Sequence, residues 1–100
     1  MTAPARAPAD LAESIAAVVL ARPDVAALTA GPRGRIMTYR AGLPLAGVAI
    51  RPGRVEIGVV ARGGRPLAET ADDVRRAAGP LAGDRAVDVL IGDVDWEGSG

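Results

Sequence analysis

Arg54-Val-Glu-Ile-Gly-Val-Val-Ala-Arg62, Pro66-Leu-Ala-Glu-Thr-Ala-Asp-Asp-Val-Arg-Arg-Ala77 and Arg85-Ala-Val-Asp-Val-Leu-Ile-Gly-Asp-Val94 lie within residues 54 to 96 and decide the fold. The first and third have the two-residue apolar period of strands. In the first, Val55, Ile57, Val59 and Ala61 share one face and Glu56, Gly58, Val60 and Arg62 the other. In the third, Val87, Val89 and Ile91 oppose Asp88, Leu90, Gly92 and Val94. Between them the spacing predicts a helix over residues 66 to 81, with Leu67, Ala71, Val74, Ala78 and Leu81 as its apolar stripe. Pro66 suits the first helical turn, Gly79-Pro80 is expected to close or kink the helix, and Gly83 to turn the chain out. A strand, a helix and a strand in this order favour a right-handed crossover between parallel neighbours.

Upstream, Arg51-Pro-Gly53 has the residues of a type II turn, so residues 45–50 and 54–62 read as a β-hairpin. Val25-Ala-Ala-Leu28 is a short strand candidate, and residues 35–39 a brief extended piece with Ile36 and Met37 on opposite faces. A leading helix starts at Asp10, with Glu13 completing a capping-box-like pair, and ends before Pro23. Its stripe is Leu11, Ile15, Val18 and Val19. The expected fold is therefore an α+β two-layer sandwich, in the order α-β-(β)-β-β-α-β. One mixed sheet of three to five strands carries both helices on one face. Residues 1–9 read as a flexible Pro/Ala tail, residues 10–96 as one domain and residues 97–100 as a C-terminal tail.

Composition excludes more chemistry than it suggests. The chain has no Cys, His, Lys, Asn, Gln or Phe. That removes disulfides, thiolate nucleophiles, imidazole proton shuttles and metal ligands, and Schiff-base lysines. No cofactor is expected and the chain reads as a non-enzyme. The formal charge is zero but segregated: residues 1–30 carry −1, residues 31–65 carry +6 and residues 66–100 carry −5. Opposite fields on one molecule favour complementary association. No apolar run approaches the roughly 20 residues of a membrane span, and no secretory signal opens the chain. A cytoplasmic protein is expected.

Val25-Ala-Ala-Leu28 after a leading helix, the strand from Arg54, the Pro66-Leu-Ala-Glu-Thr-Ala71 helix start and the closing Val87-Asp-Val-Leu-Ile-Gly-Asp-Val94 resemble the alkaline shock protein family. These are the Gls-type envelope stress response proteins of Gram-positive bacteria, and the resemblance runs over about residues 11 to 95. It implies a non-enzymatic cytoplasmic protein that self-associates, in some members held at the membrane by a separate anchor protein. The family offers no catalytic residue to carry over. The chain departs from it in lacking long charged tails and in residues 35–45.

Two surfaces are candidates for contact. Val60, Arg62 and Leu90 on the sheet face away from the helices, together with Trp96, form the partner surface favoured here, and an unpaired sheet edge offers β-augmentation. The alternative is a KH-like nucleic-acid site. Gly31-Pro-Arg-Gly34 spells its G-x-x-G, with Arg33, Arg35, Tyr39 and Arg40 as a basic patch bearing one stacking ring. A KH loop must join two helices, whereas this one follows a strand, and one aromatic falls short of a base-stacking platform. Asp88, Asp93, Asp95 and Glu97 lack the spacing of a calcium loop.

Overall fold

The computed structural model describes residues 7–96. They form α1 (Pro8–Leu20), β1 (Val25–Leu28), β2 (Met37–Thr38), β3 (Leu45–Ala46), β4 (Val48–Arg51), β5 (Arg54–Arg62), α2 (Leu67–Ala82) and β6 (Ala86–Asp95). The expected α+β sandwich is present: two helices pack on a four-stranded mixed sheet. The bracketed optional strand over residues 35–39 becomes β2, which pairs with β3, the start of the strand expected over residues 45–50, in a separate two-stranded hairpin.

β5 is the axis of the sheet. One of its borders is shared end to end by two antiparallel strands. Val48 to Arg51 of β4 lie opposite Ile57 to Arg54, while Val25, Ala27 and Leu28 of β1 lie opposite Ala61, Val60 and Val59. Gly58 sits at the seam, donating its N–H to the Gly47 carbonyl at 3.0 Å and accepting from Thr29 N–H at 2.9 Å. β6 runs parallel along the whole of the other border, from Arg54↔Ala86 to Arg62↔Asp95. The turn joining β4 to β5 is Pro52-Gly53, with Gly53 at φ +76°, as a type II turn requires.

The core lies between the sheet and the helices. Val55, Ile57, Val59 and Ala61 present one face of β5 and are fully buried against Ile15 and Val19 of α1 and Val74 and Ala78 of α2. Each such aliphatic side chain contributes about 1.5–3 kcal/mol by leaving water.

Five local expectations change. The capping pair at Asp10 does not start α1. Proline's fixed φ opens the helix at Pro8 instead, behind an extended Ala7 (φ −60°, ψ 145°) with no side-chain cap. Residues 8 and 9 therefore belong to the domain, not to a tail, while residues 1–6 and 97–100 lie outside the described residues. α2 likewise keeps its helical path through Gly79-Pro80 and ends at Gly83 (φ +64°); Pro80 forgoes only the N–H bond of its own position, and just two helical residues follow it. Its buried line is Thr70, Val74, Ala78 and Ala82, so Leu67, which heads the stripe read from sequence, is exposed. The strand expected over residues 45–50 is split at Gly47, whose φ of +99° turns the chain between β3 and β4.

The fifth change bears on the site. A register shift at Gly92 places Val60 opposite Asp93 and Ala61 opposite Val94. One extra residue reverses the alternation. Val94 therefore shares the helix-side face with Ala61, and Asp93 and Asp95 share the far face with Val60 and Arg62.

Candidate interaction surfaces

The face of the sheet turned away from the helices is not bare. After β1 the chain crosses it: a Cβ added at Gly58 would meet the Thr29 carbonyl oxygen at 2.1 Å, and one at Gly92 would meet Thr29 Cγ2 at 2.9 Å. The two glycines let the segment after β1 lie flush on the sheet. Ile36 N–H donates to the Ala30 carbonyl at 3.0 Å and closes the loop, leaving Ile36 buried over Gly58. Where the loop meets β6, Ala30, Gly31, Pro32, Arg33, Arg35, Ile36 and Leu90 line a shallow apolar hollow of about 230 Å³.

This loop contains the G-x-x-G, and its geometry is not that of a nucleic-acid clamp. It joins β1 to β2 with no helix on either side. Gly34 N–H is spent on the Gly31 carbonyl (3.1 Å) and Gly31 N–H on Thr29 Oγ1 (3.2 Å). A second, larger groove of about 520 Å³ lies beside it, lined by residues that include Arg35, Met37, Tyr39 and Ile50. Tyr39 is 81% exposed. Arg40 is withdrawn from the patch, since it pairs with Glu13 of α1 and donates Nε–H to the Leu43 carbonyl at 2.8 Å. The Arg33 and Arg35 side chains carry no ion pair among the described residues.

The partner residues read from sequence fall on two places. Val60 and Arg62 lie on the far face of β5, and Leu90 lies next to Gly58 across the parallel ladder, so these three share one face. Leu90 is 39% exposed. Trp96 stands apart at the end of β6, over the Gly63-Gly64 turn. Its ring carbons approach so closely that a Cβ at Gly63 would meet them at 2.1 Å, while Gly63 N–H donates to the Asp95 carbonyl at 2.9 Å. The indole still leaves 63% of the residue exposed.

Beyond these side chains, β6 offers its backbone. Its inner border pairs with β5 over the full length, and among the described residues no strand pairs with its outer border. Not one residue of the ten is fully buried. Sequence alternation marked β6 as a strand but carried no sign that it would be an edge.

A charge cluster that sequence reasoning missed pins the end of the domain away from the β4–β5 turn. Arg22 makes two hydrogen bonds to Asp73 of α2, at 2.8 and 2.9 Å. Arg65 pairs with Asp24 and with Glu69 at 3.0 Å. The hydrogen bond to Asp73, then that carboxylate's charge, raises Arg22 above the ordinary guanidinium value, and Glu69 with Asp24 does the same for Arg65. Asp24 and Asp73 are largely buried, and the Asp24 carbonyl accepts from Arg62 N–H at 2.7 Å. The Arg65–Asp24 and Arg22–Asp73 contacts join residues 41 and 51 apart in sequence, a separation that local pattern does not reveal. Among the described residues no group of three or more His, Cys, Asp or Glu side chains is placed to hold a metal ion, and no helix is long and apolar enough to cross a membrane. Comparison with family models, with curated proteins and with solved structures finds no match to this chain.

Proposed function

We propose that the chain is a non-catalytic assembly domain of the alkaline shock, envelope stress response kind, working in the cytoplasm by associating with copies of itself. The observation that carries this reading is the outer border of β6, ten residues long and paired with no strand among the described residues, with half-exposed Leu90 on it and Trp96 at its end. Such an edge is a row of backbone donors and acceptors open to strand addition, and one of its donors, Val94 N–H, is taken up by Asp93 Oδ1 at 2.8 Å. The Gly92 shift and the acidic side chains Asp88, Asp93 and Asp95 limit which strand can join it. On this reading any approach to the membrane runs through a separate anchor protein. Sedimentation equilibrium from low to high micromolar concentration at low salt tests it: a mass rising to a defined multiple is expected, and a monomer throughout overturns the proposal.

The nucleic-acid alternative keeps only Arg33, Arg35 and Tyr39, since Arg40 is bound to Glu13 and the loop amides are bonded internally. RNA affinity at low salt, falling steeply as salt rises, would favour it.

A further inference from the structure

We propose that two copies pair antiparallel along the outer borders of β6, about a two-fold axis at Leu90. The inference rests on the self-association reading and names the surface, the direction and the register of that association.

Direction follows from charge. Beside the N-terminal half of β6 lie Arg33 and Arg35, which share the hollow with Leu90, and Arg54, whose register partner is Ala86. Arg85 precedes the strand. The acids there are largely engaged: Glu56 receives Arg51 at 2.9 Å, and Asp88 lies 3.8 Å from Arg54. Past Gly92 the far face carries Asp93 and Asp95, with Arg62 beside them on β5. Parallel pairing of two such strands would set acid against acid and arginine against arginine. Antiparallel pairing sets each acidic end against the other copy's arginines.

Register follows from the apolar residues and the bulge. With Leu90 opposite Leu90 of the partner subunit, Val89 and Ile91 face each other across the axis on the helix side, so both copies keep their helices on one side of a continuous sheet. Each Gly92 then falls opposite Asp88, where no like charge opposes the carboxylate. The shift at Gly92 ends the regular stretch of strand, and Asp93 there is carried toward the partner's Arg33 and Arg35. The two-fold arrangement closes on itself, so association stops at the dimer.

Two experiments on the full chain test this. The protein has no cysteine, so Leu90→Cys introduces one thiol. Directly opposed positions on paired strands hold their Cβ atoms about 4.5–5.5 Å apart, within reach of a disulfide after a small adjustment. Mild oxidation is expected to link Leu90→Cys into a covalent dimer and to leave Tyr39→Cys, on the other groove, without a covalent link. The second experiment swaps charge. R33E/R35E and D93R, each shown folded by circular dichroism, are expected to weaken their own dimers by about tenfold or more. Mixed in equal amounts they restore a dimer, because each acidic end again meets an arginine. A wild-type dimer indifferent to both variants, or a species growing beyond two copies, overturns the antiparallel pairing while leaving self-association standing. A wild-type monomer, with the edge reserved for some other protein, overturns both.

Discussion

β5 and β6 have nearly the same apolar alternation, yet they do different work. The helix-side residues of β5, from Val55 to Ala61, are fully buried. Those of β6 that pair with them, Val87, Val89 and Ile91, are only partly covered. The difference is not in hydrophobicity but in neighbours. β5 has strands on both borders and both helices over it, whereas β6 has β5 on one side and α2 above. Alternation tells which face of a strand turns inward and is silent on whether the strand is central or marginal. In this fold the central strand supplies stability and the marginal one supplies a surface.

The contrast can be broken most strongly at matched positions. Ile57 and Val89 are register partners on the helix side. Ile57→Ala is expected to cost about 2–5 kcal/mol, as a buried truncation that leaves a cavity. Val89→Ala is expected to cost about 1 kcal/mol or less, because part of that side chain is already in water. Urea denaturation at concentrations low enough to keep the chain monomeric reads both, and equal losses would remove the distinction between centre and edge. A second pair probes the far face. Gly58→Ala drives a methyl into the Thr29 carbonyl at 2.1 Å and should lose about 3 kcal/mol. Gly92→Ala meets only the end of the Thr29 side chain, at 2.9 Å, and should lose about 1 kcal/mol or less. If Gly58→Ala proved harmless, the loop would not lie on the sheet as described.

These positions also mark how far the sequence could be read. Strand β1, the Pro52-Gly53 turn, helix α2 and the parallel β5–β6 pair were legible because each is written in a local period or a turn residue. What escaped depends on partners distant in sequence. Leu67 matched the helical stripe and stands exposed because the buried line of α2 is set by the sheet beneath it. Val94 was assigned to the wrong face because one extra residue at Gly92 reverses the parity of everything after it. The far face looked open because nothing local says that residues 29–36 will cross Gly58, although a glycine inside a strand is the signal that something approaches closely. Of the candidate surface, Val60, Arg62 and Leu90 were correctly grouped on one face. The ion pairs of Arg22 and Arg65 were not foreseen.

A smaller effect sits under the same sheet. Thr70 Oγ1 of α2 is fully buried and has no hydrogen-bond partner among the described residues. Burying a hydroxyl without a partner costs about 1–3 kcal/mol. Thr70→Val keeps the branched shape and removes the oxygen, so stability is expected to rise by about 1 kcal/mol in the same urea measurement. A loss instead would mean that the hydroxyl is satisfied in solution.

The last expectation is of no change, and it separates the pinned end of the domain from its open edge. Arg22 and Arg65 are raised above the ordinary guanidinium value by Asp73 and by Glu69 with Asp24. A cation raised on folding contributes stability that is complete below its unfolded value and is lost only as pH climbs through the raised one. That loss lies far into alkali. The side chains that ordinarily titrate between about pH 6 and about pH 9 are histidine and cysteine, and the chain has neither. The melting temperature of the monomer should therefore stay within about 2 °C across that range at fixed ionic strength, in calorimetry or circular dichroism. Association through the edge should be equally flat with pH but should weaken as salt is raised, since exposed charges are screened over about 10 Å at 0.1 M. Salt sensitivity of the dimer without pH sensitivity of the fold is the combination expected of an arginine–carboxylate interface on a core that holds neither histidine nor cysteine. A melting temperature that moves with pH across neutrality would place a proton-binding group inside that core.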